Sequence, residues 1–239
     1  MMAALYLTIE DNEYMVAYKI FDTNAFPEHV GSQVDACADD LALIAHSRSI
    51  IYQETLNGRR EFVQELHKPY YATATPDHIK VFRYHSVTFQ VGVVSFFISI
   101  YSLLDKFSRL VAALIIPSSM VGFDKLRKWL SSNVREKHMD IEKRDLIIQI
   151  INNAKDYWLD DIINKRVHIT HYGTLKDLSL MQVPFSKPPS LIGEDEIILP
   201  TISFKGSRRD LVNLSQEIES NIKIMLKEII ALLPNVKYQ

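Results

Sequence analysis

The feature that most constrains this sequence is a set of long segments in which apolar residues recur every three or four positions, with few chain-breaking residues among them. Only 7 of the 239 residues are glycine, well below the usual share of about 7%. A spacing of three and four places apolar residues on one face of a helix. The sequence therefore predicts a mostly helical chain whose long helices each bury one face.

Four long helices and one short helix are predicted from this spacing and from the flanking proline and capping residues. The long ones cover about Val34–Leu66, His85–Ile116, Ile141–Lys165 (or a few residues beyond) and Ser207–Leu233. The short one covers Asp124–Leu130. In the fourth, Ser207 and Asp210 are spaced as in a capping box. Four helices with one apolar side each favour an all-α fold, an antiparallel four-helix bundle.

Short β elements are expected at two places outside the helices. Alternating residues between Leu5 and Phe21 predict a strand or hairpin within an N-terminal extension, residues 1–30. Residues 178–204 predict a long-looped β-hairpin between the third and fourth helices, interpreted as an insertion and not a second core. With no linker or internal repeat visible, residues 1–239 are predicted to form a single domain.

Charge and cysteine content restrict the partners and the compartment. The formal net charge is −2, from 27 basic and 29 acidic residues. No global basic field therefore holds long nucleic acid, and any such contact must be local. A single cysteine, Cys37, excludes an internal disulfide framework and fits a reducing compartment. The first residues lack the pattern of a signal peptide, so a cytoplasmic location without membrane contact is expected.

One uncharged segment needs a separate decision on membrane insertion. Ser86–Leu104 contains 19 residues without a charge, close to the roughly 20 that span a bilayer. Several serines, a threonine and a glutamine dilute its hydrophobicity, and the helical pattern continues into charged residues. We interpret the segment as the central helix of the bundle.

Chemistry-bearing residues concentrate at the end of the third predicted helix. Motifs for nucleotide-binding glycine loops, zinc proteases and serine hydrolases are missing from the sequence. The segment Asn164–Gly173 instead holds Lys165, Arg166, His168, His171 and Tyr172. Three interpretations remain open for this cluster.

The first interpretation is structural: Lys165 and Arg166 are cations favoured by the helix dipole, and Gly173 follows the helix end. The second is a metal site, in which His168 and His171 share a helix face and a third ligand comes from elsewhere. The third is acid–base catalysis on a phosphodiester, with a histidine moving a proton and an arginine binding the phosphate.

The catalytic interpretation carries a geometric condition. On an ideal helix, five residues separate Arg166 and His171 by about 140° and roughly 7–8 Å of rise. Their side chains converge only if the helix loosens near Thr170 or if a second chain completes the site. A homodimer is therefore part of this hypothesis.

The Arg166-x4-His171 spacing at the end of a helix, followed by Tyr172-Gly173, resembles the Arg-x4–6-His motif of the HEPN superfamily, which often reads RNxxxHxG or RNxxxHYG. The resemblance covers about Val34–Leu233. It implies a four-helix bundle, commonly a homodimer with the two motifs facing each other. Many active members are metal-independent endoribonucleases of toxin–antitoxin and other defence systems, so the implied partners are RNA and a neutralising protein.

Carried over to this chain, the resemblance makes His171 the acid–base group and Arg166 the phosphate clamp, with no cofactor or metal. Val167 stands where active members often have Asn, Asp or His, and His168 is a possible substitute. The alternative is therefore a catalytically inactive HEPN-like module that binds RNA, a nucleotide or a partner protein. Asp161 is expected to pair with Lys165 at i,i+4 or to orient Arg166.

Overall fold

Long helices dominate the protein, and the computed structural model describes residues 15–69, 87–115, 122–132, 139–172, 175, 177–183, 188–234 and 236–237. The α-helices named here are α1 (Gly31–Leu66), α2 (Val87–Ile115), α3 (Phe123–Leu130), α4 (Ile141–Ala154), α5 (Asp160–Tyr172) and α6 (Leu211–Leu232). A π-helical turn, Lys155–Leu159, joins α4 to α5. The expected all-α class with accessory strands is confirmed.

The apolar face predicted for the first helix is buried in α1. All six of its positions are shielded from solvent: Cys37, Leu41, Ile44, Ser47, Ile51 and Thr55. Gly58 lies within the helix and does not break it. The periodicity therefore located the helix and its inward face, because burial of that face stabilises a long helix more than one glycine weakens it.

The N-terminal extension differs from its predicted β structure where it is described. Residues 15–20 are helical, and two 3₁₀ turns follow, Thr23–Ala25 and Glu28–Val30. Ala17, Ile20 and Phe21 are buried, and a step of three or four suits a helix and not a strand. The strand prediction is thus wrong for this part. Residues 1–14 of the predicted extension lie outside the described residues.

The chain divides into two compact units. The first holds the described residues of Met1–His46, Ser95–Val167 and Ile218–Gln239. Its core is rich in phenylalanine: the rings of Phe21 and Phe107 meet edge to face at 6.2 Å. The backbone N–H of Lys237 donates to the carbonyl of Ala25 at 2.8 Å. This hydrogen bond holds the C-terminal residues against the N-terminal turns.

The second unit, Ser47–Val94 and His168–Glu217, contains the sheet. Its antiparallel order is β1 (Leu178–Ser179), β2 (Thr201–Phe204) and β3 (Ser207–Asp210). Leu178 pairs with Ile202, and a bridge joins Gln182 to Ile198. The long-looped pairing predicted within 178–204 is confirmed, whereas β3 was missed.

The predicted insertion packs against α1 within the second unit. Apolar side chains of α1 and of the segment before β2 form one buried cluster: Phe62, Leu66, Met181, Val183, Ile192 and Ile197. Polar contacts reinforce it. The Arg59 guanidinium donates to the carbonyl of Glu194 at 2.6 Å and 3.1 Å, and His67 Nε2 lies 3.0 Å from the carbonyl oxygen of Ile192.

The hairpin between β2 and β3 also corrects the start of the fourth helix. Lys205 and Gly206 both have positive φ, 50° and 74°, as a two-residue type I′ turn requires. Residues 207–210 therefore form a strand and not the first helical turn. The N-cap is Asp210, whose Oδ1 accepts from the N–H of Asn213 at 2.8 Å. Ser207 donates its hydroxyl to the carbonyl of Phe204.

Helix α2 is the one described helix long and apolar enough to cross a membrane, and half of its most apolar window is buried within the protein. The less buried side of α2 carries charged residues. Lys106 on this side lies 2.8 Å from Asp40 of α1, and Arg109 is exposed. The interpretation of this helix as a core element stays a prediction.

A glycine of α2 allows α1 to approach closely within the second unit. A Cβ atom on Gly92 would lie 2.7 Å from Cγ2 and 3.2 Å from Cβ of Ile50. Isoleucine is branched at Cβ and has little freedom to turn aside. Gly92, Ser95, Ser99 and Ser102 recur at steps of three and four, and this strip of small residues predicts close approach of a neighbouring backbone. At Gly92 the structure has such an approach.

Gly92→Ala is expected to lower the free energy of unfolding relative to Gly31→Ala by about 1–3 kcal/mol, the usual cost of overpacking. Gly31 is the matched control, because a Cβ there meets only Thr23 Cγ2 at 3.5 Å and alanine favours the helix at both positions. Urea denaturation measures the difference. Equal stability of the two variants would contradict the close approach of α1.

Asp210→Ala is expected to cost about 1 kcal/mol of unfolding free energy through loss of the α6 cap. Ser207→Ala is expected to cost less than about 0.5 kcal/mol, as exposed polar substitutions usually do. Denaturant midpoints at constant m-value compare the two. A larger effect at Ser207 would favour the original capping-box interpretation over the observed strand.

Candidate active site

The motif lies on a helix that is continuous from Ile141 to Tyr172 through the π turn. Asp140 caps its start by accepting from the N–H of Glu142 at 3.1 Å. Lys155 of the π turn bridges Asp124 at 3.0 Å and Asp160 at 3.4 Å. Asp160 is thus engaged by a lysine at the start of α5, away from Arg166.

The spacing of apolar residues along this helix predicts one buried side, made of Ile147, Ile150, Ile151, Ala154, Tyr157, Trp158 and Ile162. Five of these seven, Ile147, Ile151, Ala154, Trp158 and Ile162, are buried, and Ile150 is half-buried. Tyr157 is 76% exposed, so the prediction for Tyr157 is wrong. At the π turn, Leu159 is buried next to Trp158.

Arg166 is held against an aromatic ring in the first unit. Its guanidinium carbon lies 4.1 Å from the ring centroid of Tyr101 on α2. This distance is within the range of a cation–π contact, which for arginine is also a flat stacking contact. The contact restricts how the guanidinium can turn. When arginine binds a phosphate in bidentate fashion, it does so through the N–H groups in the guanidinium plane.

His171 lies at the last full turn of α5 and is exposed. His168 is half-buried, and its Nδ1 atom is shielded from solvent. The Tyr172 backbone ends the helix, whereas the Tyr172 side chain and Gly173 lie outside the described residues. Of the two histidines, His171 has the access that a reaction with a macromolecular substrate requires.

The helix carries Arg166 and His171 without the loosening that would bring them together. α5 is regular from Asp160 to Tyr172, so Thr170 lies within intact helix. Five helical residues then keep the two positions about 140° apart around the axis. Of the two routes to convergence that the sequence left open, a second chain is the one compatible with this helix.

Two further residues near the motif, Lys165 and Asp161, have distinct environments. Lys165 is buried, with 8% of its surface exposed, and lies on the inward face with Ile162 and Ile169. Asp161 is half-buried, and its predicted pairing with Lys165 stays a prediction. Lys165 is therefore not the solvated helix-end cation of the structural interpretation.

Val167, the residue that departs from the HEPN pattern, is 41% exposed. A valine there offers no hydrogen bond to a phosphate or to a neighbouring polar group. Because Val167 is exposed and adjacent to Arg166 on this helix, the surface next to the candidate catalytic residue is apolar at this position.

The other titratable groups form no rival site in the described part of the chain. No group of three His, Cys, Asp or Glu residues there is placed to hold a metal ion, so the metal interpretation finds no third ligand among those residues. Burial, together with the nearby Asp40 carboxylate, raises the pKa of the Cys37 thiol to about 12. Such a thiol is not a nucleophile at neutral pH.

Sequence reasoning missed Tyr101, which is 65 positions before Arg166 in the sequence. A contact between residues so far apart in the sequence produces no periodic pattern or motif spacing from which it could be predicted. The only available signal was its place on the stripe of α2 that also carries Asp105 and Lys106. His67, which showed no evident partner in the sequence, contacts the Ile192 carbonyl in the second unit.

Comparison with known proteins adds no relative: no protein family matches the sequence, and neither curated proteins nor solved structures give a significant match.

Proposed function

We propose that this protein is a metal-independent endoribonuclease with a HEPN-like four-helix bundle, acting as a homodimer in a defence or toxin–antitoxin type system. His171 is the acid–base group and Arg166 the phosphate clamp. The observation that carries the proposal is the pairing of an accessible imidazole, His171, with a guanidinium whose face is fixed by Tyr101, both on one helix.

The stacked guanidinium suits a phosphate clamp because its orientation is set before substrate arrives. Free arginine side chains lose about 2 kcal/mol of rotamer entropy when they are fixed. Contact with the Tyr101 ring at 4.1 Å restricts that freedom in the folded protein. Arg166 then needs little further ordering to bind a phosphate as negative charge develops on it.

The proposed reaction uses the ribose 2′-hydroxyl as its nucleophile. His171 accepts the 2′-hydroxyl proton while the oxygen attacks the adjacent phosphorus, and the same imidazolium returns that proton, directly or through water, to the departing 5′-oxygen. The products are a 2′,3′-cyclic phosphate and a 5′-hydroxyl. Each of the two sites in the dimer pairs His171 of one chain with Arg166 of the other, and this pair supplies the proton transfers and the charge stabilisation without a Lewis acid being required.

Val167 favours a second candidate function. Its exposed side chain gives no polar contact at the position where active HEPN members often have Asn, Asp or His. A module that retains RNA or nucleotide affinity through Arg166 without cleaving is consistent with that substitution. Product formation separates the two candidates.

Purified protein is expected to cleave single-stranded RNA in the presence of a chelator. Arg166→Ala and His171→Ala are each expected to lower kcat/KM by at least about 100-fold, the usual size of an acid–base or charge-stabilising contribution. Arg109→Ala and His29→Ala are matched controls, because both side chains are exposed and lie outside the motif. Cleavage that survives both motif substitutions would contradict the proposal.

Val167→Asn is expected to raise the cleavage rate, since an amide at this position supplies the polar contact that valine lacks. An exposed position tolerates the exchange within about 0.5 kcal/mol of unfolding free energy. Initial rates on the same RNA, with thermal unfolding as the stability check, measure both effects. Unchanged affinity with no product in either protein would support the non-cleaving module instead.

A further inference from the structure

The β2–β3 hairpin concentrates positive charge on a short segment, as α3 does with Lys125, Arg127 and Lys128. Residues 201–210 contain Lys205, Arg208 and Arg209 against one acid, Asp210. The whole chain has a net charge of −2, so these ten residues have the opposite sign to the protein. Since no global field attracts nucleic acid, a local basic element of this kind is where contact would have to occur.

The turn geometry presents these charges to solvent. Lys205 and Gly206 form the type I′ turn with φ of 50° and 74°, and residues 205–208 are all exposed. A two-residue turn of this type is rigid and follows the twist of the strands. The cations are therefore held at the tip of an ordered hairpin and not on a loose loop.

The neighbouring acids are already engaged. Asp210 accepts the cap hydrogen bond from Asn213 at 2.8 Å, and Glu217 lies 2.7 Å from Arg209. Arg208 instead contacts the neutral hydroxyl of Thr201 at 3.4 Å. The charge of Arg209 is thus locally compensated by Glu217, whereas Arg208 contacts the Thr201 hydroxyl on the side of the sheet that also carries Asp210.

The pairing of β2 with β3 places hydroxyl donors on the same side of the sheet as Arg208. Arg208 pairs directly with Ser203 across the hairpin, and directly paired residues project to the same side of a sheet. Thr201, two residues before Ser203, also lies on that side. A guanidinium flanked by two hydroxyls is a set of donors suited to phosphate oxygens.

We infer that the tip of the β2–β3 hairpin, with Lys205 and Arg208 as its cations, binds the phosphate backbone of single-stranded RNA. The hairpin and His171 belong to the same compact unit. The inference rests on the proposed function for the identity of the polyanion, and it assigns to that function a substrate-binding element outside the Arg166–His171 motif. Sequence-independent phosphate contact gives affinity without base preference.

The test is the salt dependence of RNA affinity, measured by fluorescence anisotropy with a labelled 2′-O-methyl oligoribonucleotide that offers no nucleophile for cleavage. Lys205→Gln with Arg208→Gln is expected to weaken binding at low salt by at least about tenfold. It is also expected to reduce the slope of log K against log salt by about 1.4, or about 0.7 for each single-strand phosphate that is no longer neutralised. Glutamine removes the charge, keeps an unbranched polar side chain, and adds no branching at Cβ at the positive-φ position.

Lys125→Gln with Lys128→Gln is the matched control, because both lysines are exposed on α3 and the net charge changes equally. Less than a twofold loss is expected there. Equal losses in the two double variants, or none in either, would overturn the hairpin inference while leaving cleavage by the motif intact. Hairpin-dependent binding without cleavage would instead overturn the proposed function alone.

An edge strand also carries cations to prevent pairing with other chains. That role predicts concentration-dependent association of the hairpin variant with RNA affinity and slope unchanged, a result that would likewise overturn the inference. Sedimentation of the same samples distinguishes the two outcomes.

Discussion

The phase of a single helix determines what the candidate site can do. The buried positions Ala154, Trp158, Ile162 and Lys165 follow one another at steps of four, four and three across the π turn at Lys155–Leu159, and regular α-helix then continues to Tyr172. The same phase exposes Val167 and His171, and Arg166 contacts the ring of Tyr101. On a regular helix, positions five residues apart lie about 140° apart around the axis, which is the reason for proposing that each site takes its guanidinium and its imidazole from two chains.

Packing supports that arrangement in ways that differ between the two units. In the first, aromatic contacts such as Phe21–Phe107 and the ion pair of Lys106 with Asp40 fix α2 against its neighbours. Tyr101 on α2 is thereby a firm base for Arg166. In the second, a small sheet and the Phe62 cluster hold the segments on either side of the hairpin. Rigid scaffolding of this kind is what exposed functional groups need in order to be positioned.

The sequence predicted the helices well, because burying one face of a helix requires apolar residues at every third or fourth position, and this spacing is visible in the sequence. The buried face of α1 and the continuation of the third helix were readable in this way. The prediction failed at the start of the fourth helix, where a turn and a helix cap were both compatible with the sequence. The spacing of Ser207 and Asp210 fits a capping box, yet the Lys205-Gly206 turn makes residues 207–210 a strand. A Lys-Gly pair is a weaker hairpin signal than Asn-Gly, which explains why it was missed.

The candidate site was predictable only in part. The Arg166 and His171 positions follow from the motif spacing, and the exposure of His171 follows from its helical phase. The Tyr101 contact depends on tertiary packing between distant segments, which local spacing does not encode. The burial of Lys165 was readable in the sequence, because Lys165 follows Trp158 and Ile162 at steps of four and three.

The most direct test of a site shared between two chains is complementation between Arg166→Ala and His171→Ala. Each variant alone lacks one partner of every Arg–His pair, whereas a mixed dimer restores one intact pair across the interface. An exchanged equimolar mixture should regain up to about a quarter of wild-type ribonuclease activity, since half of the dimers are mixed and each has one of two sites. A mixture that exchanges subunits and stays as inactive as its components would contradict the account.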